Sequence, residues 1–282
     1  MFSRWRQACR CLCLALVLSF GHAWAQSAPD QGAEADDTGN ATAVAKKLQN
    51  PVGDLISVPF QSNTNFNYGP HRGTQELLNI QPVIPIHIND DWNIITRTIL
   101  PLIWQPTLQP AQTVPSGTGP ITFSAFLSPR NSVDGWVWGV GPVNQIPTIS
   151  SATLGSNVWG GGPTAVVVKT TSRIVAGVLI NNVWSFGGTS GIAGTRYSVM
   201  TLQPFFNYNL GNGWALSTSP LLTANWYATG AKWTVPVGAQ VQKVIKVRGK
   251  LPVSLLLGAY YNPIRQSYGS TWNIRSQIAI IF

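Results

Sequence analysis

The chain has 282 residues, 44% of them hydrophobic and only 10% charged, with 18 Lys and Arg against 9 Asp and Glu. So few charges beside 27 Gly and 20 Pro exclude a charged coiled coil and an acidic disordered chain,. What remains is one large folded domain or two small ones. No acid follows Asp134, and the bases beyond it are scattered through turns and strands. That scatter gives no nucleic-acid signature.

The opening MFSRWRQACR carries Arg4, Arg6 and Arg10 without an acid, and an apolar run from Cys11 to Phe20 leads to Ala23-Trp24-Ala25. This is the layout of a cleaved export signal over residues 1–25. The apolar run is too short for a retained membrane anchor. Cys9, Cys11 and Cys13 are the only cysteines and leave with the signal, so the mature chain makes no disulfide,. Residues 26–53 are expected to form a flexible and then briefly helical segment, periplasmic or acting as a plug. Its helix is placed at 41–48 and ended by Asn50-Pro51,.

From 54 to 282 no helical period persists. Short apolar stretches alternate with turns rich in Gly, Asn, Pro and Asp, which predicts an all-β region. Strands are expected at 54–61, 77–88, 92–103, 121–128, 136–146, 158–168, 173–184, 197–208, 213–225, 232–243, 252–262 and 272–282. Short connections at 89–91, 129–135, 170–172, 209–212 and 244–251 alternate with mostly longer ones at 62–76, 104–120, 147–157, 185–196 and 263–271. The 226–231 link is short and departs from that parity. A soluble sandwich has no reason to sort its loops in this way. Short turns at one end and longer loops at the other are the pattern of an outer-membrane barrel. The expected fold is therefore an all-β, transmembrane antiparallel β-barrel of about 12 strands, lying in the bacterial outer membrane.

Tryptophan supports the same reading. Trp92, Trp136 and Trp214 start strands at the short-turn end, while Trp104, Trp159, Trp184, Trp226, Trp233 and Trp272 lie near the opposite ends. An indole has an apolar body and one N–H donor, so two such belts suit the two membrane interfaces. The final stretch, TWNIRSQIAIIF, alternates with period two,. Ile278, Ile280 and Phe282 are expected to face lipid and to serve as the assembly signal. Asn273, Arg275 and Gln277 are expected to face the lumen. The same alternation turns Asn79, Gln81, His87, Asn93 and Arg97 inward, so Arg97 and Arg275 could share a basic wall.

Two features strain this picture. Pro82, Pro85, Pro101, Pro142, Pro204, Pro220 and Pro236 fall within expected strands, which should therefore be bent, bulged or split,. Alternation also fades in PTAVVVKT, RIVAGVLINNVW and PVSLLLGAYY. Either apolar side chains line and partly fill the lumen there, or those strands pack against an inner segment such as 41–53.

The stretches AKKLQNPVGDLISVPFQSNTNF, LNIQPVIPIHINDDWNIITRTILPLIWQP, LQPFFNYNLGNGWALSTSPLLTANW and WTVPVGAQVQKV resemble a proteobacterial outer-membrane transporter family. Some of its members carry the label neuromedin U, and it is similar to the barrels associated with phenol meta-pathway degradation. The resemblance implies an outer-membrane barrel that passes small molecules and assembles through the barrel assembly machinery. It supplies no site residues.

Enzyme chemistry has little to stand on. His71 and His87, the histidines of the mature chain, are expected at opposite ends of the barrel, and no Ser sits in a nucleophile motif,. Gly160-Gly161-Gly162 lacks the helix and Lys of a phosphate loop,. The expected function is a channel or transporter for small, aromatic or amphiphilic anionic solutes, without cofactor or metal. The alternatives are a non-conducting structural or adhesive barrel and, more remotely, an outer-membrane hydrolase. The expected partners are lipid, lipopolysaccharide, the assembly machinery and the solute.

Overall fold

The computed structural model describes residues 41–108, 116–188, 196–248 and 251–282. The expected export signal and the first part of the lead-in lie outside the described residues. Helix α1 spans 41–48. Its Ala, Lys and Leu are good helix formers, and Lys46 and Lys47 complement the negative end of the helix dipole. It stops where Asn50 precedes Pro51, because a residue before proline is pushed out of the helical region,.

The strand segments are β1 (Ser57–Tyr68), β2 (Gly73–Ile80), β3 (Val83–His87), β4 (Trp92–Trp104), β5 (Ser116–Thr118), β6 (Ile121–Pro129), β7 (Trp136–Ile146) and β8 (Gly160–Thr170). They continue as β9 (Ile174–Ser185), β10 (Ser198–Gly211), β11 (Trp214–Thr218), β12 (Leu222–Asn225), β13 (Trp233–Val247), β14 (Leu251–Ile264) and β15 (Trp272–Ile281). Antiparallel pairing joins them into one closed barrel of 12 strands. Within it β2 with β3, β5 with β6, and β11 with β12 are halves of single barrel strands. The interruptions fall at Gln81-Pro82, Gly119-Pro120 and Ser219-Pro220-Leu221. Each contains a proline, which has no N–H to give the ladder. Pro236 sits at a register shift between Val235 and Val237, whereas Pro85, Pro101, Pro142 and Pro204 remain inside strands.

Closure employs the apolar strand at Trp272–Ile281. β15 pairs with β1 from Ser57 opposite Ile281 to Phe66 opposite Trp272. The Phe282 N–H donates to the Ile56 carbonyl at 3.0 Å. No edge of the sheet is left to meet lipid unpaired.

One expected loop is instead strand. The 62–76 segment belongs to β1 and β2, joined by a turn at 69–72. Polar residues on both faces of β1 hide its period. Gln61, Asn63 and Asn65 point inward, while outward Ser62 and Thr64 donate to the Glu76 carboxylate, Thr64 at 3.1 Å. The turns at the other end are tight. Asp134-Gly135 and Asn212-Gly213 have φ of 50° and 76°, and of 50° and 74°. Paired positive φ values of this kind match the right-handed twist of a hairpin.

The apolar residues divide by face. Outward Val237, Leu257 and Ile278 are 61, 57 and 53% exposed, as suits a surface solvated by lipid,. Inward Ile95, Phe126, Val137, Val166, Val168, Val175, Leu179 and Phe205 form one buried cluster, and Val52 of the segment after α1 is part of it. Fading alternation in β8 and β9 thus has a physical cause: both of their faces meet apolar surroundings.

Candidate functional site

The other half of the lumen is polar. β10, β11, β13, β14, β15 and β1 turn Gln203, Asn207, Ser217, Gln240, Gln242, Ser254, Tyr260, Arg275 and Asn63 inward, and all but Gln203 are buried. A cavity of about 170 Å³ lies between this wall and the segment after α1. Gln49, Gln61, Gln81, Arg97, Arg275 and Gln277 are among its lining residues, together with the apolar Leu55, Val83, Phe205 and Leu256.

Both arginines are directed at proline breaks. Arg97 Nη2 donates to Gln81 Oε1 at 2.7 Å, beside the Gln81-Pro82 interruption. Arg275 Nη1 donates to the Ser219 carbonyl at 2.9 Å, and its Nε reaches Asn63 Oδ1 at 3.3 Å. The Arg275 guanidinium also lies 4.8 Å from the ring centroid of Tyr260, a cation–π distance. Ser219, freed from the ladder by Pro220, is satisfied by lumen side chains throughout. Its N–H donates to Tyr260 Oη at 3.1 Å, and Gln203 Nε2 donates to its hydroxyl at 2.8 Å. Among the described residues neither arginine pairs with a carboxylate. The acids lie elsewhere: Asp54 with His87, Glu76 on the outer wall, and Asp90, Asp91 and Asp134 in short turns.

The remaining expected lumen residues are dispersed. Asn93 is 3% exposed, and its Oδ1 is buried without a hydrogen bond. Asn273 donates to Asn65 Oδ1 at 2.9 Å, nearer the long-loop end. Asn79 is half-buried opposite Gln61. His87 is exposed at the short-turn rim, 2.9 Å from Asp54 Oδ1. The amides of β10 and β13 were missed, although period two in LQPFFNYNLG and GAQVQKV places Gln203, Asn207 and Asn209, and Gln240 and Gln242, on shared faces,.

The segment after α1 is held by both halves of the lumen. Val52 joins the apolar cluster, while Gln49 Nε2 donates to Asn209 and Gln242, each at 3.2 Å. Lys46 donates to the Ser172 carbonyl in the β8–β9 turn, and the Gly213 N–H donates to Thr42 Oγ1 at 3.3 Å. At the long-loop end a wider cavity of about 490 Å³ is lined by Asn65, Tyr68, Gln75, Thr223, Thr234 and Tyr268, among others.

Tryptophans stand on the outside at both ends. Trp136 and Trp214 are 50 and 45% exposed, and Trp92 packs edge-on against Trp138 at 5.8 Å. At the opposite end Trp104, Trp159, Trp184, Trp226 and Trp272 are exposed, and Trp233 packs edge-on against Trp226. Ile278 and Phe282 are exposed on the same outer wall. Among the described residues no group of three or more His, Cys, Asp or Glu is placed to hold a metal ion.

A closed antiparallel sheet with an apolar outer wall, aromatic ends and a partly polar interior defines a transmembrane β-barrel of the outer-membrane class,. No protein-family model matches the chain, and no curated protein is similar to it in sequence. Its fold is similar to that of an outer-membrane channel from Pseudomonas putida F1, at 17% identity and a TM-score of 0.61, over 81% of this chain and 94% of that one. It is also similar to the NanC porin, at 10% identity and a TM-score of 0.51, over 80% of this chain and 98% of that one. At these identities the likeness is one of fold.

Proposed function

We propose that the protein is an outer-membrane channel for small anionic solutes of amphiphilic or aromatic character. The observation that carries this reading is the pair Arg97 and Arg275, which line one lumen cavity with no carboxylate partner among the described residues. Their hydrogen bonds go to neutral acceptors, so the positive charge of the cavity is not cancelled. Such a field attracts anions. Val83, Phe205 and Leu256 in the same lining offer apolar contact to a ring or chain. The P. putida structure similar in fold is that of a channel, and the sequence resemblance to a transporter family points the same way. In this reading Trp92, Trp104, Trp136, Trp159, Trp184, Trp214, Trp226, Trp233 and Trp272 meet lipid and lipopolysaccharide headgroups. Ile278, Ile280 and Phe282 are read by the barrel assembly machinery.

The test is flux of benzoate, phenol and a cationic amine of similar size through reconstituted protein, repeated with Arg97→Gln and Arg275→Gln. Benzoate is expected to pass fastest and to lose its advantage in either variant. Equal flux of anion and cation, unchanged by both substitutions, overturns the anion preference.

A second reading is a non-conducting structural or adhesive barrel, favoured by the seat of Val52 inside the lumen. Planar-bilayer recording separates the two, because folded protein that carries no current supports the second.

A further inference from the structure

The short-turn rim carries one construction twice. At Asp134-Gly135-Trp136 and at Asn212-Gly213-Trp214 a two-residue turn with paired positive φ is followed by an outward tryptophan. Directly across the ladder from each tryptophan stands a lysine, Lys169 on β8 and Lys243 on β13. The Lys169 ammonium lies 5.1 Å from the Trp136 ring centroid and donates to the Asp134 carbonyl at 2.5 Å. The Lys243 ammonium lies 5.0 Å from the Trp214 ring and donates to the Asn212 carbonyl at 2.5 Å. The two arrangements match in turn, spacing, ring contact and carbonyl contact.

Each ammonium has three donors, one of which is used on the turn carbonyl. Neither forms an ion pair with a carboxylate among the described residues, the neighbouring Asp134 side chain included. The indole N–H groups of Trp136 and Trp214 have no acceptor among the described residues. Each clamp therefore presents a fixed cation and a second donor on the outer wall, where hydrocarbon gives way to headgroups. Arg173, which donates to Tyr208 Oη at 3.4 Å, and Arg248 lie on the same arc as the two clamps, where Asp134 is the one acid among the described residues; Asp54, Asp90 and Asp91 lie on the arc of β1, β3 and β4, with Arg130 3.9 Å from Asp90.

We propose that the two Trp–Lys clamps, Trp136 with Lys169 and Trp214 with Lys243, each seat the phosphate of one anionic phospholipid in the periplasmic leaflet. The ammonium meets the phosphate oxygens, the indole N–H supplies a second hydrogen bond, and the ring packs against the upper acyl chain. A zwitterionic lipid fits less well, because its own ammonium is brought near the lysine. The inference is independent of whether the lumen conducts.

Native mass spectrometry of detergent-purified, folded protein tests it, with phosphatidylglycerol, phosphatidylethanolamine or inorganic phosphate added. The wild-type protein is expected to retain two phosphatidylglycerol molecules, Lys169→Gln or Lys243→Gln one, and the double variant none. Each lost lysine should weaken lipid retention by about fivefold. Trp136→Phe and Trp214→Phe, which keep a smaller aromatic ring but remove the N–H donor, are expected to weaken retention at their own site only. Gel mobility before and after boiling checks that every variant is folded. Equal retention of both lipids, or full phosphatidylglycerol retention by the folded double variant, overturns the proposal. Displacement of bound lipid by inorganic phosphate assigns the clamps to a free anion and overturns it too.

Discussion

Arg275 donates to the carbonyl of Ser219 across the lumen at 2.9 Å, at the point where Pro220 interrupts the barrel strand made of β11 and β12. A backbone break inside a barrel is tolerated only where other groups satisfy the freed polar atoms. The arginine therefore has a structural duty beside any electrostatic one. Arg275→Ala should destabilise the folded barrel by about 1–3 kcal/mol, the cost of leaving a buried acceptor such as the Ser219 carbonyl unsatisfied. Thermal unfolding in detergent reads this directly, and an unchanged midpoint would show that water can take over the Ser219 carbonyl.

Val52 is the apolar anchor of the segment after α1. Val52→Asp places a charge among Ile95, Phe126, Val137 and Val166, where neutral apolar groups cannot pair it,. The segment is expected to leave the lumen, and single-channel conductance of reconstituted protein should rise. Val52→Ala should loosen the segment by a smaller amount, about 1–2 kcal/mol. Identical conductance in wild type and Val52→Asp would show that this segment does not limit passage.

Phe282 is 68% exposed on the outer wall, and its N–H bonds Ile56. Phe282→Asp keeps that backbone bond but puts a carboxylate at the lipid-facing end of the closing strand. The amount of heat-modifiable barrel in outer-membrane fractions should fall severalfold. Normal levels would remove the terminal aromatic from any part in assembly.

Tyr197 joins two of the long connections, donating to the Val158 carbonyl at 2.9 Å. Burial pushes its hydroxyl from 10.0 up to about 12. A raised folded-state value means the neutral phenol stabilises the contact at every pH below about 10, and that this contribution is lost as pH climbs through about 12,. Proteolysis of the 147–159 connection should therefore be constant between about pH 5 and 9, and faster in Tyr197→Phe at every point. Gly160→Ala should speed cleavage more than Tyr197→Phe, because a Cβ there would stand 2.1 Å from the Tyr197 hydroxyl oxygen and 2.7 Å from the Trp184 carbonyl oxygen. A pH-dependent cleavage rate in the wild type within that window would assign the contact to another group.

Much of this protein is determined locally. Period two in TWNIRSQIAIIF puts Arg275 and Gln277 on one face and Ile278 and Phe282 on the other, and the closing ladder keeps that register. Helix α1 is likewise local, because Ala41 to Leu48 favour helix and Pro51 stops it. The run QSNTNFNY misleads for a tertiary reason. Its inward Asn63 and Asn65 answer to Arg275 and Asn273, and its outward Ser62 and Thr64 answer to Glu76, so neither face looks apolar. Only closure could reveal that partnership, since β1 and β15 are neighbours in space and are the first and last strands of the sheet. The division of the lumen was equally beyond local reading. Apolar residues on β4, β6, β7, β8 and β9, with Phe205 of β10, converge on Val52, and amides on β10 and β13 converge with Arg275, because the barrel bends distant strands around one axis. Periodicity tells each side chain which face it occupies, and the long-range pairing of strands decides what it meets there.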